Sequence, residues 1–133
     1  MKINRLAAVL PGLIAVLIVN VVLNLGVLSV VYLLGRASAG PDALVAFRGS
    51  TLQWALGLLT GSLAIGAGGF ASTWLARDAG LMTALAFGAT YLAISLVSAL
   101  FRPPTTPWWM FAVSLVLVFP AAAAGGYLAR RRA

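Results

Sequence analysis

The chain lacks cysteine, histidine and glutamate, and its only acidic residues are Asp42 and Asp78. Without histidine or cysteine it cannot form a His/Cys zinc site, an iron–sulfur cluster, a histidine-ligated haem or a Ser-His-Asp triad. Hydroxyl groups and arginines alone do not provide a good general base. The composition therefore predicts a protein that is not an enzyme, holds no metal and needs no cofactor.

Charge of either sign is scarce. Only 8% of the 133 residues are charged, whereas 62% are hydrophobic. The charged positions leave four uncharged stretches, each at least as long as the ~20 residues that cross the hydrocarbon core of a bilayer. Runs such as 13–19 are apolar at every position, which disfavours the alternating strands of a β-barrel. We predict an all-α integral membrane four-helix bundle, a single transmembrane domain over residues 1–133 with spans at approximately 8–34, 52–76, 80–101 and 107–128.

Aromatic residues bracket two of these spans at the spacing that a bilayer requires. Trp54 and Trp74 are separated by ~30 Å of helix, and Trp108 and Tyr127 by ~29 Å. Aromatic rings favour the two headgroup boundaries. Together with Trp109, these residues are the predicted interface anchors.

The distribution of positive charge predicts the orientation. One side of the membrane would hold six basic residues, namely Lys2, Arg5, Arg77, Arg130, Arg131 and Arg132. The other side would hold Arg36, Arg48 and Arg102. Since basic residues accumulate on the cytoplasmic side, we expect both termini in the cytoplasm. Arg130, Arg131 and Arg132 would attract anionic lipid headgroups with about 1 kcal/mol each. Because the positive charges lie at membrane edges rather than in one basic patch, no nucleic acid is expected as a partner.

The first uncharged run and the loop after it allow more than one interpretation. A basic start and Ala37-Ser38-Ala39 resemble a signal peptide, but the uncharged run 6–35 is twice as long as a signal h-region, which favours an uncleaved first span. The loop 36–50 is either an ordinary connection or contains a short interfacial helix. In the second case Leu44 and Phe47 would dip toward lipid and Asp42 would favour the helix N-terminus.

Two pairs of motifs predict an internal repeat. The pattern F-R-x-x-T-x-x-W occurs at 47–54 and again at 101–108, and a Gly-Gly-aromatic motif occurs at 68–70 and at 125–127. These pairs indicate two tandem helical hairpins related by an axis along the membrane normal. The alternative is convergence, since many helix ends at a membrane boundary use Arg, Thr and aromatic residues.

Small residues mark the predicted helix contacts. In the second span they share one face, made of Gly57, Gly61, Ala64 and Gly68. Ala84 and Gly88 form a similar face on the third span. Small residues let helix backbones approach closely in lipid, so we expect these two faces to pack on each other. On that interpretation, Gly61→Leu would force the helices apart.

Asn20 and Asn24 are the most polar residues within a predicted span, and their spacing places them on one face of the first helix. One interpretation is hydrogen bonding to hydroxyls of other helices, from Thr60, Ser62, Thr90 or Ser95, with ~0.6 kcal/mol per bond. The alternatives are a ligand site and a contact with another subunit. Asn20 and Asn24 are therefore the candidate polar contacts for a bound molecule.

The segment from Ala67 to Gly80, continuing to Gly88, resembles the Gly-Gly-aromatic hairpin of uncharacterised small bacterial four-helix membrane proteins. The resemblance implies a small protein of the bacterial inner membrane and assigns no activity.

The spans contain packing faces and boundary aromatics but almost no reactive groups. This favours a non-enzymatic accessory or structural subunit whose partners are the lipid bilayer and other membrane subunits or further copies of the chain. One alternative is a small oligomeric transporter or channel, with Asn20, Asn24 and Thr60 along the path. A third is a holin-like lesion former.

Overall fold

A computed structural model describes residues 4–38, 46–48, 50–77, 81–101 and 107–132. Four long helices occupy this part of the chain: α1 Arg5–Ser38, α2 Thr51–Ala76, α3 Met82–Leu100 and α4 Trp108–Arg132. All four are long and apolar enough to cross a membrane. The predicted all-α four-helix bundle is confirmed, and α1 extends beyond the bounds predicted for the first span at both ends.

The limits of α2 follow from local hydrogen bonding. Ser50 caps its start in an extended conformation, where Oγ accepts from the Gln53 N–H at 3.2 Å. The same hydroxyl donates to the Phe47 carbonyl at 2.6 Å, which holds Phe47 against the start of the helix. At the other end Arg77 adopts a left-handed conformation (φ 49°), and its N–H donates to the Trp74 carbonyl. A left-handed residue stops a helix abruptly, so α2 ends at this position.

Phe47 corrects one expectation. If the loop forms an interfacial helix, this side chain would face lipid, but it is buried, with 9% of its surface exposed. It is held between α1 and the start of α2, since it shares clefts with residues of both. Residues 39–45, with Asp42 and Leu44, lie outside the described residues, as do 78–80 and 102–106 with Asp78 and Arg102.

The four helices alternate in direction. Near the start of α1, Gly12 lies against Ser72, which is close to the end of α2. Near the end of α4, Gly126 lies against Thr73 of α2 and Ala84 at the start of α3. The start of α1 and the end of α4 are therefore at the same end of the bundle. We call the half that contains these contacts the closed half.

Helices α2 and α4 run parallel and in register. The pairs Gly57 with Met110 and Gly69 with Ala122 are in contact, and their members are the same number of positions apart in the sequence. Two hairpins related by an axis along the membrane normal require such a parallel pair, although every alternating four-helix bundle has one.

Backbone contact between α2 and α4 defines the closed half. A Cβ at Gly125 would meet the Gly66 carbonyl oxygen and the Phe70 nitrogen, and a Cβ at Gly69 would meet the Ala122 carbonyl oxygen. Only glycine allows such an approach, because any side chain would separate the two backbones. The two helices therefore touch through main-chain atoms.

Around this contact lies the core, which draws on all four helices. Its buried members are Val9, Val16, Ala64, Ile65, Phe87, Val118 and Ala122. Phe87 is completely buried and fills the space left open by Gly12 and Gly68. Because the large ring of Phe87 packs against these glycines, the closed half is densely packed.

The opposite half, which contains Asn24, Gly57 and Met110, is packed more loosely, and we call it the open half. Helix α1 is the most peripheral helix there. Its most apolar 18-residue window is 6% buried, against 22% to 33% for the other three helices. Leu17, Val21 and Leu25 are each at least 58% exposed. The outer part of α1 therefore leans on the bundle along one side only.

Candidate functional site

Three adjoining clefts open between the helices of the open half, as far as the described residues define it. The amide cleft, of 220 Å³, lies between α1, α2 and the start of α4, and its polar members include Asn24, Gln53, Trp54 and Thr60. The mouth cleft, of 380 Å³, includes Ser29, Tyr32 and Arg48. The hydroxyl cleft, of 120 Å³, lies between α2, α3 and α4 and includes Ser62, Tyr91, Ser95 and Ser114.

The three clefts are neighbours that share lining residues. The mouth cleft and the amide cleft share Leu28, Phe47 and Gln53. The amide cleft and the hydroxyl cleft share Gly57 and Met110. Polar groups therefore occur in each of three neighbouring clefts, from the exposed Arg48 of the mouth cleft to Ser62 and Ser95 of the hydroxyl cleft.

The two asparagines bond to each other rather than to other helices. Asn24 Nδ2 donates to the Asn20 carbonyl oxygen at 2.8 Å and to Asn20 Oδ1 at 2.6 Å. This corrects the expectation of interhelical bonds. The physical reason is the i, i+4 spacing, which brings the second amide over the carbonyl of the first without help from another helix. Asn24 lines the amide cleft, and Asn20 accepts both of its hydrogen bonds.

Two of the four hydroxyls expected to receive these bonds are satisfied locally. Thr60 Oγ1 donates to the Gly57 carbonyl at 3.2 Å, and Thr90 Oγ1 donates to the Ala86 carbonyl at 2.9 Å. Threonine and serine on a helix reach the carbonyl three or four residues back, so they do not need a partner helix. Ser62 and Ser95 line the hydroxyl cleft.

The close contacts at the glycines of the two small-residue faces are with residues outside those faces. On α3, Ala84 and Gly88 face α4, where a Cβ at Gly126 would lie 2.6 Å from the Ala84 Cβ. On α2, Gly57 faces Met110 of α4. Gly68 faces Phe87 of α3 and also contacts α1. Ala64 is buried in the core. The reason is the glycine pair of α4. The backbone at Gly125 lies against α2, and Gly126 lies against Ala84 of α3, so α4 occupies the space next to both helices.

Gly61 differs most from its predicted role. A Cβ at this position would meet no described atom within 4 Å, because Gly61 borders the hydroxyl cleft. The Cβ position of Gly61 has no helix contact among the described residues that would support the predicted separation of helices by Gly61→Leu, and a larger side chain would extend into the cleft. The closest approaches are at Gly12, Gly68, Gly69 and Gly125, of which Gly68 belongs to the predicted face. The glycine pairs at 68–69 on α2 and 125–126 on α4 are the sequence signal for these contacts.

The closed half also buries hydroxyl groups. Ser72 is 0% exposed and Thr73 is 2% exposed, and within the described residues their hydroxyls have no hydrogen-bond partner. Ser72 Oγ lies against Gly12, so the missing side chain of Gly12 makes room for it. A contact of this kind offers only a weak Cα–H···O interaction. These hydroxyls contribute little to stability.

The predicted boundary residues are mostly exposed. Trp74, Trp108, Trp109 and Tyr127 range from 42% to 81% exposed, whereas Trp54 is half-buried and lines the amide cleft. Arg130, Arg131 and Arg132 are exposed at the end of α4. The guanidinium of Arg131 lies 4.9 Å from the Tyr127 ring centroid, and its Nε–H donates to the Tyr127 hydroxyl at 3.1 Å. This cation–π pair orders one arginine of the cluster.

No protein-family model matches the chain, and no curated protein or solved structure is significantly similar to it. The geometry of the bundle is therefore the basis for assigning a role.

Proposed function

We propose that this multi-pass membrane protein is a non-enzymatic accessory or structural subunit of a membrane complex. The observation that carries the proposal is the position of α1, which leans on the bundle along one side and is 6% buried over its most apolar window. A peripheral helix of this kind is free to pack against a helix of another subunit.

The face of α1 that points away from the bundle supports such a contact. Val22 and Val30 are 62% and 55% exposed, and Gly26 between them would meet no described atom within 4 Å of an added Cβ. These three residues are four positions apart, so they form one stripe along the helix. A glycine in such a stripe lets the backbone of a second helix approach closely.

Its proposed location is the bacterial inner membrane, with both termini in the cytoplasm. The exposed cluster of Arg130, Arg131 and Arg132 supports this orientation, because basic residues favour the cytoplasmic side and attract anionic headgroups there. The resemblance of the α2–α3 hairpin to small bacterial membrane proteins supports the same location.

Native purification in a mild detergent tests the subunit role. We expect the chain to migrate in a particle larger than the monomer, either with other membrane proteins or as several copies. Gly26→Leu should release the chain from this particle. Gly61→Leu is the matched control, since Gly61 is equally open but borders an internal cleft, and it should leave the particle intact.

Migration of the wild-type chain as a monomer would contradict the subunit role. Retention of Gly26→Leu in the particle would contradict the assignment of the contact to α1. Neither added side chain meets a described neighbour at its Cβ, and unfolding temperatures close to that of the wild type would show that both variants fold.

A small oligomeric transporter or channel is the second candidate, and the neighbouring polar clefts of the open half favour it. Asn24 and Thr60 of the predicted path line the amide cleft, and the closed half would form the barrier. Solute flux into liposomes that is lost in Asn24→Leu would support transport. Absence of flux with a folded protein would count against it.

A further inference from the structure

We propose that the amide cleft binds one molecule of an uncharged amphiphile that carries a hydroxyl group. The hydroxyl donates to Asn24 Oδ1, and the apolar part lies along Leu28 and Phe47. The site does not depend on the subunit role, because Asn24 and Gly26 are on opposite sides of α1.

The hydrogen bonds of Asn24 determine what the cleft offers. A backbone carbonyl only accepts, so the atom of Asn24 that faces the Asn20 carbonyl must be Nδ2. The second contact of Nδ2 is Asn20 Oδ1, so both of its hydrogens are used. Oδ1 of Asn24 is left as an acceptor, and no donor of the described residues reaches it.

Thr60 adds a second acceptor to the same cleft. Its hydroxyl hydrogen is directed at the Gly57 carbonyl, which leaves oxygen lone pairs for another donor. An acceptor at membrane depth without a donor is unfavourable. A ligand that donates a hydrogen bond relieves this cost, whereas a ligand with acceptors alone does not.

Charge and shape narrow the class of ligand. None of the described residues that line the amide cleft is ionisable at neutral pH, so an uncharged headgroup fits best. The cleft volume of 220 Å³ holds about seven water-sized groups, enough for a headgroup and the first part of a chain. Beyond the amide cleft, the alkyl chain of the ligand follows Leu28 and Phe47 into the mouth cleft.

The route of entry is from the membrane. Leu25, Leu28 and Tyr32 of the mouth cleft are 60%, 48% and 48% exposed on the side of α1, where lipid surrounds a spanning helix. A long-chain alcohol in the bilayer can therefore enter sideways between α1 and the segment that contains Phe47.

The test uses the full chain in nanodiscs with a photoactivatable hexadecanol that carries a diazirine in its chain. We expect saturable labelling at Leu28, Phe47 and Met110, mapped by mass spectrometry. Unlabelled hexadecanol should compete. Hexadecyl methyl ether, which keeps the chain and the oxygen but lacks the donor, should compete about three- to tenfold more weakly.

Asn24→Leu should weaken binding of the alcohol by the same factor and should not change binding of the ether. Ser114→Ala, which removes a hydroxyl of the hydroxyl cleft, is the control and should leave both unchanged. Gly57→Val is a second variant if Asn24→Leu does not fold, because a Cβ at Gly57 would be 3.5 Å from Met110 Cε, an ordinary contact, and the side chain would fill the amide cleft.

Equal competition by alcohol and ether would overturn the proposal. Labelling that does not saturate, or that is spread evenly along the exposed face of α1, would also overturn it. A monomeric protein that still binds the alcohol selectively would contradict the subunit role alone.

Discussion

Replacing Gly125 with alanine tests whether main-chain contact between α2 and α4 holds the closed half together. A Cβ at this position would lie 2.8 Å from the Gly66 carbonyl carbon and 2.9 Å from the Phe70 nitrogen, and closer still to the Gly66 carbonyl oxygen. All three neighbours are main-chain atoms, so no side chain can rotate away. The helices must move apart.

The size of the effect follows from these distances. Restoring ordinary contact with the Gly66 carbonyl oxygen requires a displacement of more than ~1 Å, and even a gap of 0.5–1 Å forfeits about a quarter to a half of the dispersion energy across the contact. Overpacking of this kind costs about 1–3 kcal/mol. We expect Gly125→Ala to lower the free energy of unfolding by this amount. The higher helix propensity of alanine offsets part of the loss.

Gly61→Ala is the matched control. It makes the same chemical change in a transmembrane helix, but its Cβ would meet no described atom within 4 Å. Alanine exceeds glycine in helix propensity by up to about 1 kcal/mol, so this variant should be neutral or more stable. The measurement is equilibrium unfolding in mixed micelles of mild detergent and SDS, followed by tryptophan fluorescence. A Gly125→Ala variant as stable as Gly61→Ala would refute the reasoning.

Two further predictions concern the closed half and the topology. Ser72→Ala should leave the free energy of unfolding unchanged or raise it by up to about 1 kcal/mol, because it removes a buried hydroxyl without a partner among the described residues; a loss measured in the same unfolding assay would indicate a partner. Single cysteines at Ser38 and Ala133, in a chain without native cysteine, should react with an impermeant thiol reagent from opposite sides of the membrane. Reaction of both from the same side would contradict the four-span topology.

The positions of the spans could be predicted because they depend on a one-dimensional property. A charged residue such as Arg77 or Arg102 cannot lie in the hydrocarbon without a large cost, so uncharged runs of sufficient length mark the helices. The ends of α2 and α4 agree with this prediction to within a few residues. Asn24 was also recognisable as a candidate contact, because an amide within a span is rare.

The partners of the small residues could not be predicted in the same way. Spacing shows that Gly57, Gly61 and Gly68 share a face, but three other helices compete for that face. The outcome depends on where two backbones come within contact distance, which Gly69 and Gly125 allow between α2 and α4. Once that contact forms, Gly61 is left beside a cleft.

The sequence by itself determined that this is a four-span membrane protein almost without reactive side chains, because length, apolarity and charge act locally along the chain. Only the tertiary structure decided that one half is closed and the other is open. Glycines bring main-chain atoms together in the closed half, whereas Asn24 and Thr60 in the open half make their hydrogen bonds within their own helices. Both side chains therefore line a cleft instead of bonding to another helix.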